Sequence, residues 1–205
     1  MLQNVFINLV KTYGAADDLA STMWQEVHNS HNQVGRYYHN LKHLENLYEE
    51  LQQCNKQIQD LNTLLFSIIY HDIIYDATTK DNEEKSAAIA VERLTTLGCG
   101  KDIIAKCREQ IIATKSHTLS TDKDTNLFTD ADLSILGSKW EKYLQYSKQV
   151  REEYSMYADA LYIPGRRKVL QHFLKMEHIF KTEHFRIKYE NQARKNLVAE
   201  LKLLA

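Results

Sequence analysis

Apolar residues recur at intervals of three and four along most of this chain, and strand-like alternation is hard to find. Such spacing places apolar side chains on one face of an α-helix. One proline and six glycines occur in 205 residues, so few positions interrupt helices of this kind. The pattern therefore predicts an all-α protein.

The first apolar stripes predict two helices over about residues 2–30, with a break near Gly14. A third predicted helix begins at Arg36 and continues through a series of leucines. His39 and His43 would then share a face of that helix, one turn apart. Histidines at this spacing can bind one ion, or one of them can be a ligand while the other fills the core.

The stretch Ser67-Ile-Ile-Tyr-His-Asp-Ile-Ile-Tyr-Asp76 places His71 and Asp72 at the end of an apolar run. A predicted helix over about residues 58–72 directs the Asp72 carboxylate along a buried stripe, which consists of Leu61, Leu65 and Ile68. A buried carboxylate needs a partner, and His71 can bind the same metal ion. The alternative is local capping or hydrogen bonding at the helix end.

Two further helices are predicted before residue 115. The first has Asp81 or Asn82 as its N-cap and ends at Gly98, in the position after the C-cap that favours glycine. The second stops near Thr114. A polar stretch, residues 115–126, then separates these helices from another apolar run.

That run, residues 127–137, contains two acids, Asp130 and Asp132, among apolar residues. A helix beginning near Asp130 would use one of them as its N-cap. Capping does not account for both acids. Asp132 is therefore a candidate ligand at the first turn.

Residues 139–205 predict long amphipathic helices with a break over residues 162–167, and the last helix reads as scaffold. Arginines are frequent in this part of the chain. Most arginines at such density are solvated, but a guanidinium facing a metal site would bind phosphate well.

The charge balance, 26 Lys and Arg against 27 Asp and Glu, argues against a dedicated nucleic-acid surface or an anionic-membrane surface. No Pro/Gly-rich linker divides the chain, so we expect a single domain over residues 1–205. The three cysteines form no CxxC pair, the first residues lack a signal-peptide pattern, and no apolar run is long enough to cross a membrane. A cytoplasmic location is the expectation.

The ordered set His39, His71-Asp72 and Asp132 resembles the HD superfamily of metal-dependent phosphohydrolases over about residues 36–137. The segments RYYHNLKHL, IIYHDIIYD, DNEEKSA, ATKSH and TDADLSILG are similar to a bacterial branch of predicted HD phosphohydrolases. The likeness extends through VREEY, PGRRKVLQHFL and ARKNLVAEL in the C-terminal helices, about residues 139–205.

The resemblance implies an HD-like helical bundle with a divalent metal, such as Mn, Fe, Co, Ni, Zn or Mg, bound by His39, His71, Asp72 and Asp132. The alternative or additional ligands are His43, His117 and Asp130. The residues that would assist catalysis are Asp72, Asp76, Glu83, Glu84 and Lys115, and those that would bind phosphate are Arg36, Arg151 and Arg166.

The activity implied is attack of metal-activated water on a nucleotide or other small phosphate ester. Two alternatives stay open. One is an HD-fold di-iron oxygenase, which would need His117 or another histidine as an additional ligand. The other is a metal- or nucleotide-binding module without turnover.

Overall fold

The computed structural model describes residues 1–204, and it confirms the all-α prediction: over that range the chain forms helices and no strand. The ten α-helices are α1 (Leu2–Thr12), α2 (Asp17–His31), α3 (Leu41–Gln52), α4 (Leu61–Tyr70), α5 (Asn82–Thr96), α6 (Lys101–Ala113), α7 (Lys123–Asp132), α8 (Trp140–Glu153), α9 (Asp159–Lys175) and α10 (Glu183–Leu203). Two short 3₁₀ helices cover Asn55–Gln57 and Leu133–Gly137. Among the described helices, none has the length and apolar content needed to span a bilayer.

The chain divides into two compact units, Met1–Thr129 and a second unit that starts at Asp130. The boundary falls inside α7, which is one uninterrupted helix from Lys123 to Asp132. The prediction of a single domain stays a prediction.

The first unit is organised around α4, which packs against α1, α3, α5 and α6. Eight consecutive residues of this helix, from Thr63 to Tyr70, are buried. A helix that is apolar on nearly all sides is stable only when other helices surround it. The end of α4 therefore delivers the residues that follow Tyr70 to a fixed place in the unit.

In the second unit α10 packs against α8, α9 and the 3₁₀ turn Leu133–Gly137. A Cβ atom at Gly137 would overlap the backbone and the Cβ atom of Tyr189, so only glycine fits at this contact. The buried face of α10 includes polar residues as well as apolar ones, namely Glu190, Asn196 and Glu200.

Several helix ends agree with the predictions. Gly14 has a φ of +86° and separates α1 from α2, and Gly98 has a φ of +71° after the C-cap of α5. Asp81 is the N-cap of α5, and Thr114 is the C-cap of α6.

Two predicted helix starts were wrong. The third helix begins at Leu41 instead of Arg36, because Asn40 acts as its N-cap and its side chain accepts a hydrogen bond from the Lys42 amide at 2.9 Å. His39 therefore precedes the helix and does not share a helical face with His43. Similarly, α7 begins at Lys123, so Asp130 lies inside a helix and does not cap one there.

The predicted break at residues 162–167 was also wrong. Helix α9 continues through Pro164, although proline removes one helical hydrogen bond. Tyr162, Arg166 and Leu170 are buried on the two sides of this proline, and their packing keeps the chain helical. The interruption lies earlier, at residues 154–158.

Candidate metal centre

His71 is the C-cap of α4, and Asp72 follows it in the turn. The helix is thus shorter than the predicted range of 58–72, but it still positions both side chains. The His71 imidazole is buried, and its Nδ1 atom lies 3.0 Å from the Ile68 carbonyl oxygen. Because a carbonyl only accepts hydrogen bonds, Nδ1 carries the proton, and in the neutral ring Nε2 is the nitrogen with the lone pair.

The lone pair of His71 faces two further ligand atoms. His43, in the first turn of α3, is buried and places its Nε2 atom 3.2 Å from Nε2 of His71. Oδ2 of Asp72 lies 3.1 Å from the His71 nitrogen and 3.6 Å from the His43 nitrogen. One oxygen and two nitrogens are therefore in mutual contact.

When both Nε2 atoms are unprotonated, the two nitrogens and the carboxylate oxygen are all acceptors, and a positive charge between them would stabilise the cluster. A proton on the Nε2 atom of His71 or a bound cation would supply it. Ligand bonds of about 2.1 Å at angles of about 90–109° would separate ligand atoms by about 3.0–3.4 Å. The observed separations are close to that range, so the donor set fits a first-row divalent ion.

The pKa of Asp72 reflects this surrounding charge. Burial alone would raise it, but when the imidazoles are protonated, the charge and hydrogen bond of His71, with the charges of His39 and His43, lower it well below the usual range. Asp72 is therefore ionised at neutral pH and available as a ligand.

Helix α7 supplies a further carboxylate. Its Phe128 ring packs edge-on against the His71 ring, with centroids 5.5 Å apart. One turn later the helix ends at Asp132. Asp132 lies past the boundary between the two units, and its role as a metal ligand stays a prediction.

Arg36 braces the turn that carries Asp72. Its Nη1 atom donates to the Asp72 carbonyl oxygen at 2.6 Å, and its Nη2 atom donates to the Ile73 carbonyl at 3.0 Å. Nη1 also lies 3.3 Å from the carbonyl of His39. These contacts hold the guanidinium against the backbone, which favours a positioning role over the predicted phosphate-binding role. Sequence reasoning did not find this brace, because carbonyl partners leave no sequence signal.

His39 lies beside the cluster of His43, His71 and Asp72. Its ring stacks on Tyr75, with centroids 4.1 Å apart, and lies 5.8 Å from the His43 ring. His43, which the resemblance gave as an alternative ligand, contacts His71 directly, and the assignment of His39 as a ligand stays a prediction. The HxxxH spacing in the sequence identified both histidines as candidate metal ligands.

Asp130 binds the backbone that precedes α10. Its buried carboxylate accepts hydrogen bonds from the backbone amides of Lys181 and Thr182 at 2.9 and 2.7 Å, and from the Thr182 hydroxyl at 2.7 Å. The Lys181 ammonium lies 3.2 Å away. Asp130 thus holds the N-terminus of α10, which begins at Glu183.

The two arginines predicted to bind phosphate in the second unit are held by protein partners. Arg166 is buried and bound through two nitrogens by Glu200, at 2.7 and 2.9 Å. Arg151 donates to Asp159 at 2.8 Å and to the carbonyls of Tyr154 and Tyr157. These bonds favour structural roles, so phosphate binding by either residue stays a prediction.

The remaining candidates lie at the surface near the start of α5. The Asp76 carboxylate accepts from the backbone and side chain of Thr78, which lowers the pKa of this acid. Lys115 forms ion pairs with Glu84 at 2.5 Å and with Glu83 at 3.9 Å. These contacts do not test their predicted catalytic roles.

His117 follows α6 with a φ of +52°. The di-iron alternative would need this histidine or another one as an additional ligand.

Comparison with known proteins adds no relative to this picture. No protein-family model matches the chain, and neither a curated protein nor a solved structure matches it.

Proposed function

We propose that His43, His71, Asp72 and Asp132 bind a divalent metal ion, and that the protein is a metal-dependent phosphohydrolase acting on a nucleotide or another small phosphate ester. The observation that carries the proposal is the mutual contact of Nε2 of His43, Nε2 of His71 and Oδ2 of Asp72, at 3.1 to 3.6 Å. Such a close approach of largely buried nitrogen and oxygen atoms is expected where a cation binds.

The donor set supports a hydrolytic ion. Two imidazole nitrogens and two carboxylates suit Mn²⁺, Fe²⁺, Co²⁺, Ni²⁺ or Zn²⁺, and on a six-coordinate ion they leave positions for water and substrate. When bound, such an ion lowers the pKa of a coordinated water toward 7 and polarises a phosphoryl oxygen.

The chain's own residues prepare this site. The hydrogen bond from Nδ1 of His71 to Ile68 selects the tautomer whose Nε2 atom can bind metal, as outer hydrogen bonds to ligand histidines generally do. Arg36 fixes the turn that carries Asp72 through the carbonyls of Asp72 and Ile73. Both contacts hold the ligands in position before an ion binds.

The experiment compares Asp72→Asn with Asp76→Asn. Asp72 is the proposed ligand, whereas Asp76 lies four residues further on and its carboxylate bonds to Thr78. We expect the native protein and Asp76→Asn to bind metal, and Asp72→Asn to lose at least about 100-fold in metal affinity, since even residues that only support ligands are worth 10–100-fold.

Metal content, thermal unfolding with and without metal, and phosphate release from a panel of nucleotides and aliphatic phosphate esters measure these effects. At 100 times its dissociation constant, the ion should stabilise the native protein by about 2.7 kcal/mol. Equal metal affinity of Asp72→Asn and the native protein contradicts the proposed site. Bound metal without release of phosphate from any ester contradicts the proposed activity and favours a binding module.

A further inference from the structure

Aromatic rings lie next to the proposed metal ligands in the first unit. His39 and Tyr75 are stacked, with ring centroids 4.1 Å apart and planes 23° apart. Tyr38 packs edge-on against His39, with centroids 5.0 Å apart. All three side chains are half-buried, so parts of their rings are accessible to a ligand.

This stacked pair lies one ring away from a metal ligand. The ring centroid of His39 is 5.8 Å from that of His43, and the ring centroid of Tyr38 is 4.9 Å from that of His43. A small molecule bound to the metal through its phosphate could therefore extend a planar group onto these rings.

The pair is also held in place before a ligand binds. Arg36 donates to the His39 carbonyl and to the Asp72 carbonyl, so it joins the segments on which the two rings lie. Its guanidinium lies over the Tyr75 ring, 5.7 Å from the centroid. Rings that are already ordered lose little conformational entropy when a ligand stacks on them.

We propose that the His39–Tyr75 pair is the stacking surface for the base of a nucleotide whose phosphate is bound at the neighbouring metal cluster. This inference rests on the proposed function and narrows its substrate class, because nucleobases have a flat π face and aliphatic phosphate esters do not. Stacking on an aromatic side chain tolerates all four bases. The presence of a nucleobase should therefore affect substrate affinity more strongly than which of the four bases it is.

The test titrates AMP and glycerol 3-phosphate separately into protein loaded with Zn²⁺, a diamagnetic ion, and follows binding by NMR. We expect AMP to bind more tightly by about 5- to 150-fold, the range that one base–aromatic stack contributes. The aromatic protons of the base should shift upfield, because they would lie over a ring.

Two variants separate stacking from packing. Tyr75→Leu keeps an apolar side chain but removes the ring, and should lower AMP affinity by about 5- to 150-fold without changing that of glycerol 3-phosphate. Tyr75→Phe keeps the ring and should bind AMP within about twofold of the native protein. Thermal unfolding and metal content of both variants control for damage to the fold, and the base-proton shifts of the native complex do not depend on any variant.

The results also separate this inference from the proposed function. Equal binding of the two compounds, or base protons that do not shift, overturns the stacking surface even if phosphate esters are hydrolysed. Selective AMP binding that depends on the Tyr75 ring supports the stacking surface even if no phosphate is released, and in that case only the phosphohydrolase proposal fails.

Discussion

Each unit contains a cluster of polar side chains in its interior, and the two clusters differ in how donors and acceptors are paired. In the second unit the Glu200 carboxylate receives two nitrogens of Arg166 and the hydroxyl of Tyr143, so donors face acceptors. In the first unit His43, His71 and Asp72 bring acceptor atoms together. The protein itself completes the Glu200 cluster, whereas we propose that a bound cation completes the histidine cluster.

The largest expected effect is the loss of stability when the Glu200 cluster is disrupted. Glu200→Ala leaves the buried Arg166 cation without its partner, and loss of one member of a buried ion pair costs about 3–5 kcal/mol of unfolding free energy. Urea unfolding measures the loss, and Glu177→Ala, at an exposed position, is the control. Metal binding per folded molecule should not change. A cost below about 1 kcal/mol would show that the ion pair does not stabilise the second unit.

A smaller expected effect is the loss of stability of the first unit at low pH, which His31 should cause. His31 is fully buried, and its Nδ1 atom lies 2.9 Å from the Val27 carbonyl. Burial, with the charges of Arg36 and His71, lowers the pKa of His31 to about 4, although the Val27 carbonyl and Asp72 act in the opposite direction. The unfolded chain takes up a proton near pH 6.5, so stability falls between pH 6.5 and about 4 as pH decreases.

The shift corresponds to about 3 kcal/mol across that window. Urea unfolding of chelator-treated protein at several pH values measures it, and His31→Leu should flatten the slope. The depressed pKa of Asp72 acts at lower pH, below about 4, and is therefore separable. An unchanged slope in His31→Leu contradicts the assignment.

The smallest effect contrasts the two acids of α7. Asp130→Asn removes the charge next to the Lys181 ammonium and weakens the bonds to the amides before α10, which should cost about 1–3 kcal/mol. It should leave metal affinity unchanged. Asp132→Asn should release the ion, because a neutral amide replaces the anionic ligand. Metal content and urea unfolding of both variants decide between them, and metal loss from Asp130→Asn alone would reverse the assignment.

Local sequence predicted most of the fold because the residues that indicate a helix and its ends lie within a few positions of one another. The apolar spacing identified the helices, and Asp81, Gly98 and Thr114 were correctly placed at their ends. The errors occurred where long-range packing overrides a local signal. Pro164 suggested a break, yet the buried side chains around it keep α9 continuous.

The candidate site was predicted less completely. His71 and Asp72 stood out because polar residues in an apolar run are unusual. His39 and His43 could not be ranked, and even their positions relative to α3 depend on whether the helix begins before or after His39. The Asn40 side chain settles that point by capping the helix with a hydrogen bond to Lys42. Asp130 and Asp132 posed the same problem, because α7 begins at Lys123, well before both acids.

The sequence alone determined that this protein is helical and that His71 and Asp72 are its most distinctive polar residues, because both conclusions rest on neighbours along the chain. Only the tertiary structure brought His43 to within 3.2 Å of His71 across 28 residues, used Arg36 to brace the turn, and placed Glu200 against Arg166. Such contacts depend on which helix faces meet. Local spacing defines a face, but the packing of the whole core selects its partner.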